Sequence, residues 1–382
     1  MSERGIIIVG GGPVGLALAL MLARREVSST VIDARELEVA RSDQRLLALA
    51  RGTVDLLRPL LDLPQEACAP IRTVVVSSAG EFGRVVIRED DLGIGPLGVT
   101  VRYGALVVPL AQACERCQRV SVLRPRRVMS LEQQPARARL TLDDGGAVDA
   151  ALAVNAEGTM VLTGQQPRQT GVVADVVVAG PAAGEAHERF TREGPLALLP
   201  TPAAVASDGR TLGMVWCMSA DAAERRLALD DGAFIAELQQ AFGARHGRVL
   251  RVGMRRAYPL VEQTRQSVRA HRTVWIGNAA QTLHPVAGQG LNLGMRDAAR
   301  LADAIARAVA SGRDPAVELP DYEERRRADR GAIVALTRQL PGLFATRAAP
   351  IAIGRSVALA ALGAIPELRR EFARVLMFGI RS

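Results

Sequence analysis

Four apolar residues in succession, Ile6-Ile7-Ile8-Val9, open the chain's first recognisable element and run directly into Gly10-Gly11-Gly12. A run without polar alternation predicts a short strand buried on both faces. From Leu16 to Arg25 the apolar spacing lengthens, with Leu18 and Leu22 one turn apart, which predicts a helix. Ser29 to Ile32 predicts a second strand, Leu106 to about Arg119 another helix, and Thr273 to Ile276 a further buried strand. Leu291, Met295, Ala298, Leu301, Ala302, Ile305 and Val309 then keep a three-to-four spacing, giving a long helix with one buried stripe. Between these, Leu212, Met214, Trp216 and Met218 alternate with their neighbours and share one face of a strand. After Pro366, residues Leu368, Phe372, Val375, Leu376 and Gly379 form one helical face with Arg369, Arg370 and Arg374 elsewhere, a basic amphipathic pattern. This order of elements reads as an α/β protein with C-terminal helices.

At 382 residues, 48% hydrophobic and 23% charged, the chain has room for one large or two intertwined domains. It contains no lysine, so all 48 basic residues are arginine. That excludes lysine Schiff bases and the Walker A phosphate loop. The net charge of +8 would suit an anionic partner, but aromatics make up only 3% and the arginines are scattered among 40 acids. Nucleic acid is therefore not expected as a partner. Cys114 and Cys117 are the single close cysteine pair, which predicts neither a disulfide framework nor zinc, and a reduced cytoplasmic protein fits. The first apolar run is too short for a signal peptide, and Val357 to Ile365 falls well short of the roughly 20 residues of a membrane span.

The first strand feeds Gly10-x-Gly12-Pro13-Val14-Gly15, a helix follows, and the second strand ends at Asp33. Glycines let backbone approach a pyrophosphate, a helix N-terminus offers free N–H groups, and the carboxylate can accept from a ribose diol. Asp33 suits an unphosphorylated ribose, as in NAD or FAD, and this motif does not choose between them. Gly93-x-Gly95-x-x-Gly98 fits the same spacing without a feeding strand or a following helix, and reads as a loop.

Far downstream, the strand at Thr273 enters Gly277-Asn278-Ala279-Ala280-Gln281-Thr282-Leu283-His284-Pro285-Val286-Ala287-Gly288-Gln289-Gly290-Leu291-Asn292-Leu293-Gly294. With the first motif and the run Glu188-Arg189-Phe190 to Pro200, it resembles the FAD-dependent aromatic monooxygenases of the para-hydroxybenzoate hydroxylase type. Within them the resemblance is closest to the ubiquinone-biosynthesis hydroxylases, in particular the 2-polyprenyl-6-methoxyphenol hydroxylases. It implies FAD, NAD(P)H as co-substrate, dioxygen used through a flavin hydroperoxide, and a polyprenylated phenol as substrate. It also implies other ubiquinone-biosynthesis proteins as partners, and the polyprenyl tail suggests peripheral association with the anionic inner face of the membrane.

Carried onto this sequence, the resemblance places the pyrophosphate at Gly10, Gly12, Pro13, Val14 and Gly15, and the adenosine ribose at Asp33. Arg45 would lie along FAD, with Glu157 and Gly158 at the family's Asp-Gly motif. Gly277 and Asn278 would approach the ribityl chain, and Pro285, Gly288, Gly290, Leu291 and Asn292 would lie beside the isoalloxazine. Two departures stand out, Glu157 in place of aspartate and Met160 where a small polar residue is common. His284 is the only candidate for a catalytic proton carrier, beside its reading as an ordered loop histidine. The resemblance implies a discontinuous Rossmann-like FAD-binding domain of residues 1–70, 100–165 and 270–320, an inserted mixed-sheet substrate domain of 71–99 and 166–269, and C-terminal helices over 321–382. Phe190, Leu196, Leu198, Met214, Trp216 and Met218 would line an apolar substrate pocket, or else form plain sheet core. A prenyl reductase, a halogenase or a non-enzymatic prenyl-binding scaffold of the same fold are the rival functions.

Overall fold

The computed structural model describes residues 5–81, 83–158, 167, 169–203, 206–346 and 349–380. Met160 lies outside them. Five parallel strands form one sheet in the order Thr273–Trp275, Leu152–Asn155, Ile6–Val9, Ser29–Ile32, Val120–Leu123. Burial on both faces explains the uninterrupted apolar run of the central strand. Ile6 and Ile8 meet the core shared with helices Pro13–Ala23, Tyr103–Arg116 and Gln289–Ala310. Ile7 and Val9 meet a three-stranded antiparallel sheet spanning Val128 to Ala150 on the other face. Of the stripe expected on the long helix, Met295, Ala298, Leu301, Ala302 and Ile305 are fully buried, whereas Val309 is 41% exposed. At 3.6 residues per turn the stripe drifts, and Ala308 takes the last buried position.

The second layer is an eight-stranded mixed sheet built from residues 73–88 and 169–260. Helices Ala220–Leu227 and Asp231–Phe242 cover one of its faces. Each starts on a side-chain cap, Ser219 accepting from the Ala222 N–H and Asp230 from the Ala233 N–H. The other face is roofed by three C-terminal helices, Leu319–Ala345, Ala349–Ala364 and Pro366–Phe378. A small sheet of Leu46–Ala50, Gly98–Arg102 and Cys68–Ile71 joins the two layers. Gly93 and Gly95, the other glycine triplet, sit in a turn leading to the strand at Gly98. Among the described residues, no helix is long and apolar enough to cross a membrane. Cys114 is buried against the Leu16 carbonyl, and burial pushes its thiol up to about 12, as for a packing residue.

Candidate active site

The glycines of the first motif divide into two kinds. A Cβ on Gly15 would lie 2.0 Å from the Gly10 carbonyl oxygen, and one on Gly10, whose φ is +111°, would meet the Ala156–Glu157 backbone at 2.6 Å. These two let the turn close on itself and on the neighbouring strand. Gly12 has ordinary extended backbone, and a Cβ there would find only the Tyr103 hydroxyl, 3.7 Å away. It therefore borders open space, at the start of a helix that no side chain caps. Pro13 occupies the first helical turn, where no N–H is needed. Val14 packs against Gly277 and Gly294, whose missing side chains allow the approach, so both motifs are held in one site.

Asp33 is 5% exposed, and its carboxylate accepts from the Gly11 and Arg35 backbone N–H groups at 2.8 Å each. Arg124 donates to the same carboxylate and to the Gly11 carbonyl, both at 3.1 Å, while its Nε and Nη1 are buried without a partner among the described residues. Arg45 is half-exposed, paired with Asp43 at 2.6 Å, and stands over the Tyr103 ring that reaches toward Gly12. Glu157 and Gly158 are exposed beside the glycine turn, and the Asn155 side chain accepts from the Glu157 N–H.

The Gly277 turn is anchored by Asp297, which accepts from the Gly277 N–H and the Gln281 amide and pairs with Arg326. Asn278 is exposed, with Gly290 close by. Past Pro285 the chain bends through Ala287 and Gly288, both at φ +59°. Ala287 is one of two described non-glycine residues with positive φ, a strained geometry typical of sites held by their surroundings. Gly288 starts the long helix, again without a side-chain cap. Leu291 is half-buried against the main core. Asn292 is 2% exposed and fully engaged: it accepts from the Ala50 N–H and donates to the Ala48 and Gly288 carbonyls. It clamps the bend onto the strand Leu46–Ala50.

His284 is buried and its Nδ1 accepts from the Val286 N–H, so Nε2 donates to Gln169 Oε1 at 2.8 Å. Burial pushes it down to about 4. Both nitrogens are occupied, and the ring orders the loop as a neutral group.

Beside this bend lies a cavity of about 210 Å³. Its floor is Ala48, Val74, Val76, Val85, Ile87 and Phe190, and its roof is Leu340, Phe344, Leu359, Leu362, Phe372, Leu376 and Met377. Val286, Ala287, Gln289 and Asn292 form the wall toward the bend. Phe190 stacks on Phe344 at 3.7 Å between centroids. Of the pocket expected from sequence, Phe190 lines this cavity, but Leu196, Leu198, Met214, Trp216 and Met218 do not. They share a face, as alternation requires, yet it is the opposite face, buried under helices Ala220–Leu227 and Asp231–Phe242. The hairpin register is the cause: Phe190 pairs with Pro195 and Arg189 with Leu196, so Leu196 points away from Phe190. The face Phe372 and Leu376 on the last helix turns inward to the cavity, and Gly379 abuts the buried Arg296–Asp329 pair, while Leu368 stays 49% exposed.

Tyr103, Arg124, Gln289 and Glu188 were not singled out from sequence. For Glu188 a signal existed: it alternates with Ala186 and Phe190, so it had to share their buried face.

Known proteins carry the same pattern. Residues 3–61 and 110–337 match the FAD binding domain family. Ubiquinone hydroxylase UbiL of Rhodospirillum rubrum is 34% identical over 97% of this chain and 89% of its own length. The 3-demethoxyubiquinol 3-hydroxylase of Escherichia coli is 29% identical over 96% of both. Among solved structures, p-nitrophenol 4-monooxygenase PnpA of Pseudomonas putida superposes with a TM-score of 0.76 at 18% identity over 99% of both chains, which speaks for the fold. Two uncapped helix N-termini locked together, open space at Gly12 and a buried Asp33 carboxylate with acceptor capacity left on Oδ1 suit a long dinucleotide, and with the matches they establish that the chain belongs to the FAD binding domain family of flavin-dependent monooxygenases.

Proposed function

We propose that the protein hydroxylates a polyprenylated phenol in ubiquinone biosynthesis, with FAD bound and NAD(P)H and dioxygen consumed. The observation that carries the reading is an almost wholly apolar cavity beside the Pro285–Asn292 bend, in a chain related over its full length to ubiquinone hydroxylases. Gly12 and the helix start behind it would hold the pyrophosphate, Asp33 the ribose, Arg45 the flank, Glu157, Gly158 and Asn278 the middle, and Pro285 to Asn292 the flavin ring. When bound, FAD would supply reductive activation of dioxygen and transfer of one oxygen atom to an electron-rich ring. The chain's own task is to hold that ring and keep water out, which the Phe190–Phe344 stack and the helical roof perform.

An engineered apolar cavity of about 150 Å³ is known to take benzene, so this one accommodates a single substituted ring and not a long tail. The tail would leave past the roof, whose helices and connections expose Leu343, Ile353, Val357, Ile365 and Leu368. Those apolar side chains support peripheral association with a membrane surface, whereas Arg369, Arg370 and Arg374 of the last helix each pair with a carboxylate. Purified protein should be yellow, release FAD on denaturation, and oxidise NAD(P)H faster with a short-tailed 2-prenyl-6-methoxyphenol, yielding the hydroxylated ring. Flavin-free protein, or protein that yields only peroxide with every phenol, overturns the reading.

A further inference from the structure

Glu188 stands alone in the cavity wall as an ionisable group among the described lining residues, and the polar side chains beside it are Gln289 and Asn292. It lies on the strand Glu185–Phe190, between Ala186 and Phe190 on the inward face, while His187 and Arg189 point to the other side. Among the described residues its Oε1 is buried without a hydrogen-bond partner, and so is Gln289 Oε1. The Ala287 backbone N–H faces the Glu188 carboxylate and favours its charged form. Ala287 is the residue held at φ +59° in the bend beside the proposed flavin position, so strained backbone and orphaned acceptor meet at one point. A buried acceptor without a donor costs free energy, and such a group persists where something else supplies the donor.

We infer that Glu188 is the acceptor for the substrate's phenol hydroxyl, and that it takes the phenol proton as the ring is hydroxylated. This rests on the phenol-hydroxylase reading above and names the residue that fixes the ring. As the new carbon–oxygen bond forms, the phenol O–H bond breaks, its electron pair goes to the ring carbonyl that results, and the proton passes to the Glu188 carboxylate. Loss of the proton from the hydroxylated ring carbon restores aromaticity, the ring oxygen takes a proton back, and Glu188 ends as it began. One atom of dioxygen enters the ring and the other leaves as water, with two electrons from NAD(P)H and one further proton. Burial pushes Glu188 up to about 7, against the pull of the Ala287 N–H, which suits a base working near neutrality. Among the described residues the other titratable group in its reach is the Cys217 thiol, pushed up by burial and by Glu188 itself. No described cation is placed to pair with the carboxylate.

The test uses FAD-loaded protein, a short-tailed 2-prenyl-6-methoxyphenol and its methyl ether, with binding followed through the flavin absorption spectrum. Wild type should prefer the phenol over the ether at least tenfold at pH 8, and kcat for hydroxylation should rise through an ionisation near 7. Glu188→Gln should cut that preference to threefold or less, lower kcat about a hundredfold and abolish the ionisation, with FAD content and NAD(P)H-driven flavin reduction unchanged. Glu188→Asp should retain the ionisation at reduced kcat, which a merely structural role would not produce. If wild type binds and hydroxylates the phenol while Glu188→Gln keeps both the preference and the pH profile, this assignment alone falls. If wild type binds neither probe, the hydroxylase reading falls and takes the assignment with it.

Discussion

Gly12 and Gly15 belong to one motif, yet their surroundings give opposite forecasts. Gly12→Val places its side chain in open space beside the uncapped helix start, in a backbone conformation that valine adopts freely. Folding should survive, with melting shifted by a few degrees at most, while FAD recovered from denatured protein falls at least tenfold. Gly15→Ala drives a methyl into the Gly10 carbonyl and should cost on the order of 3 kcal/mol of stability, with flavin lost as a consequence. Thermal unfolding and flavin content measured on both variants separate the cases, and equal destabilisation would refute the division. The spacing of these glycines was legible in the sequence because the turn is local. Which glycine serves the ligand and which serves the chain was not, since Gly12 is bordered by Tyr103 and Gly10 is approached by Ala156, roughly 90 to 150 residues away.

Elements were legible where a pattern has a single structural solution. The uninterrupted apolar strand, the alternating strand and the two helices that follow glycine turns all formed near their expected positions. What each face meets was less legible. Parity across the Phe190–Pro195 hairpin hangs on its four-residue connection, and one residue decides which side chains see the cavity. The last helix makes the same point: Phe372 and Leu376 were visible as one face, but that face closes the cavity. Phe372→Ala together with Leu376→Ala should therefore leave FAD content intact and open the roof to water. More of the NAD(P)H consumed should then appear as hydrogen peroxide and less as hydroxylated product, by several-fold. Unchanged coupling would show that the roof does not exclude water.

At the scale of the whole molecule, ionisable groups taken into the fold set opposing pH dependences. His187 and His284 are pushed down to about 4 by burial, so between pH 6.5 and 4 the unfolded chain takes up protons that the folded chain refuses. Stability contributed by their neutral forms is full above about 6.5 and lost as pH falls through that window. Glu188 acts the other way. Its ordinary value is 4.5 and the fold raises it to about 7, so above 7 the folded state carries a buried charge that costs nothing in the unfolded chain. The penalty is at most roughly 3 kcal/mol, and it disappears as pH falls toward 4.5. Glu188→Gln removes that burden without touching the histidines. The variant should melt above wild type at pH 8.5, the two should converge by about pH 5, and the variant's stability should therefore fall more steeply on acidification, by up to about 1.4 kcal/mol per pH unit. Melting curves of flavin-free protein at five or six pH values measure this without any substrate. A melting difference that stays constant across the range would mean that Glu188 ionises as it does in water, and would remove the physical reason for regarding it as the acceptor poised in the cavity.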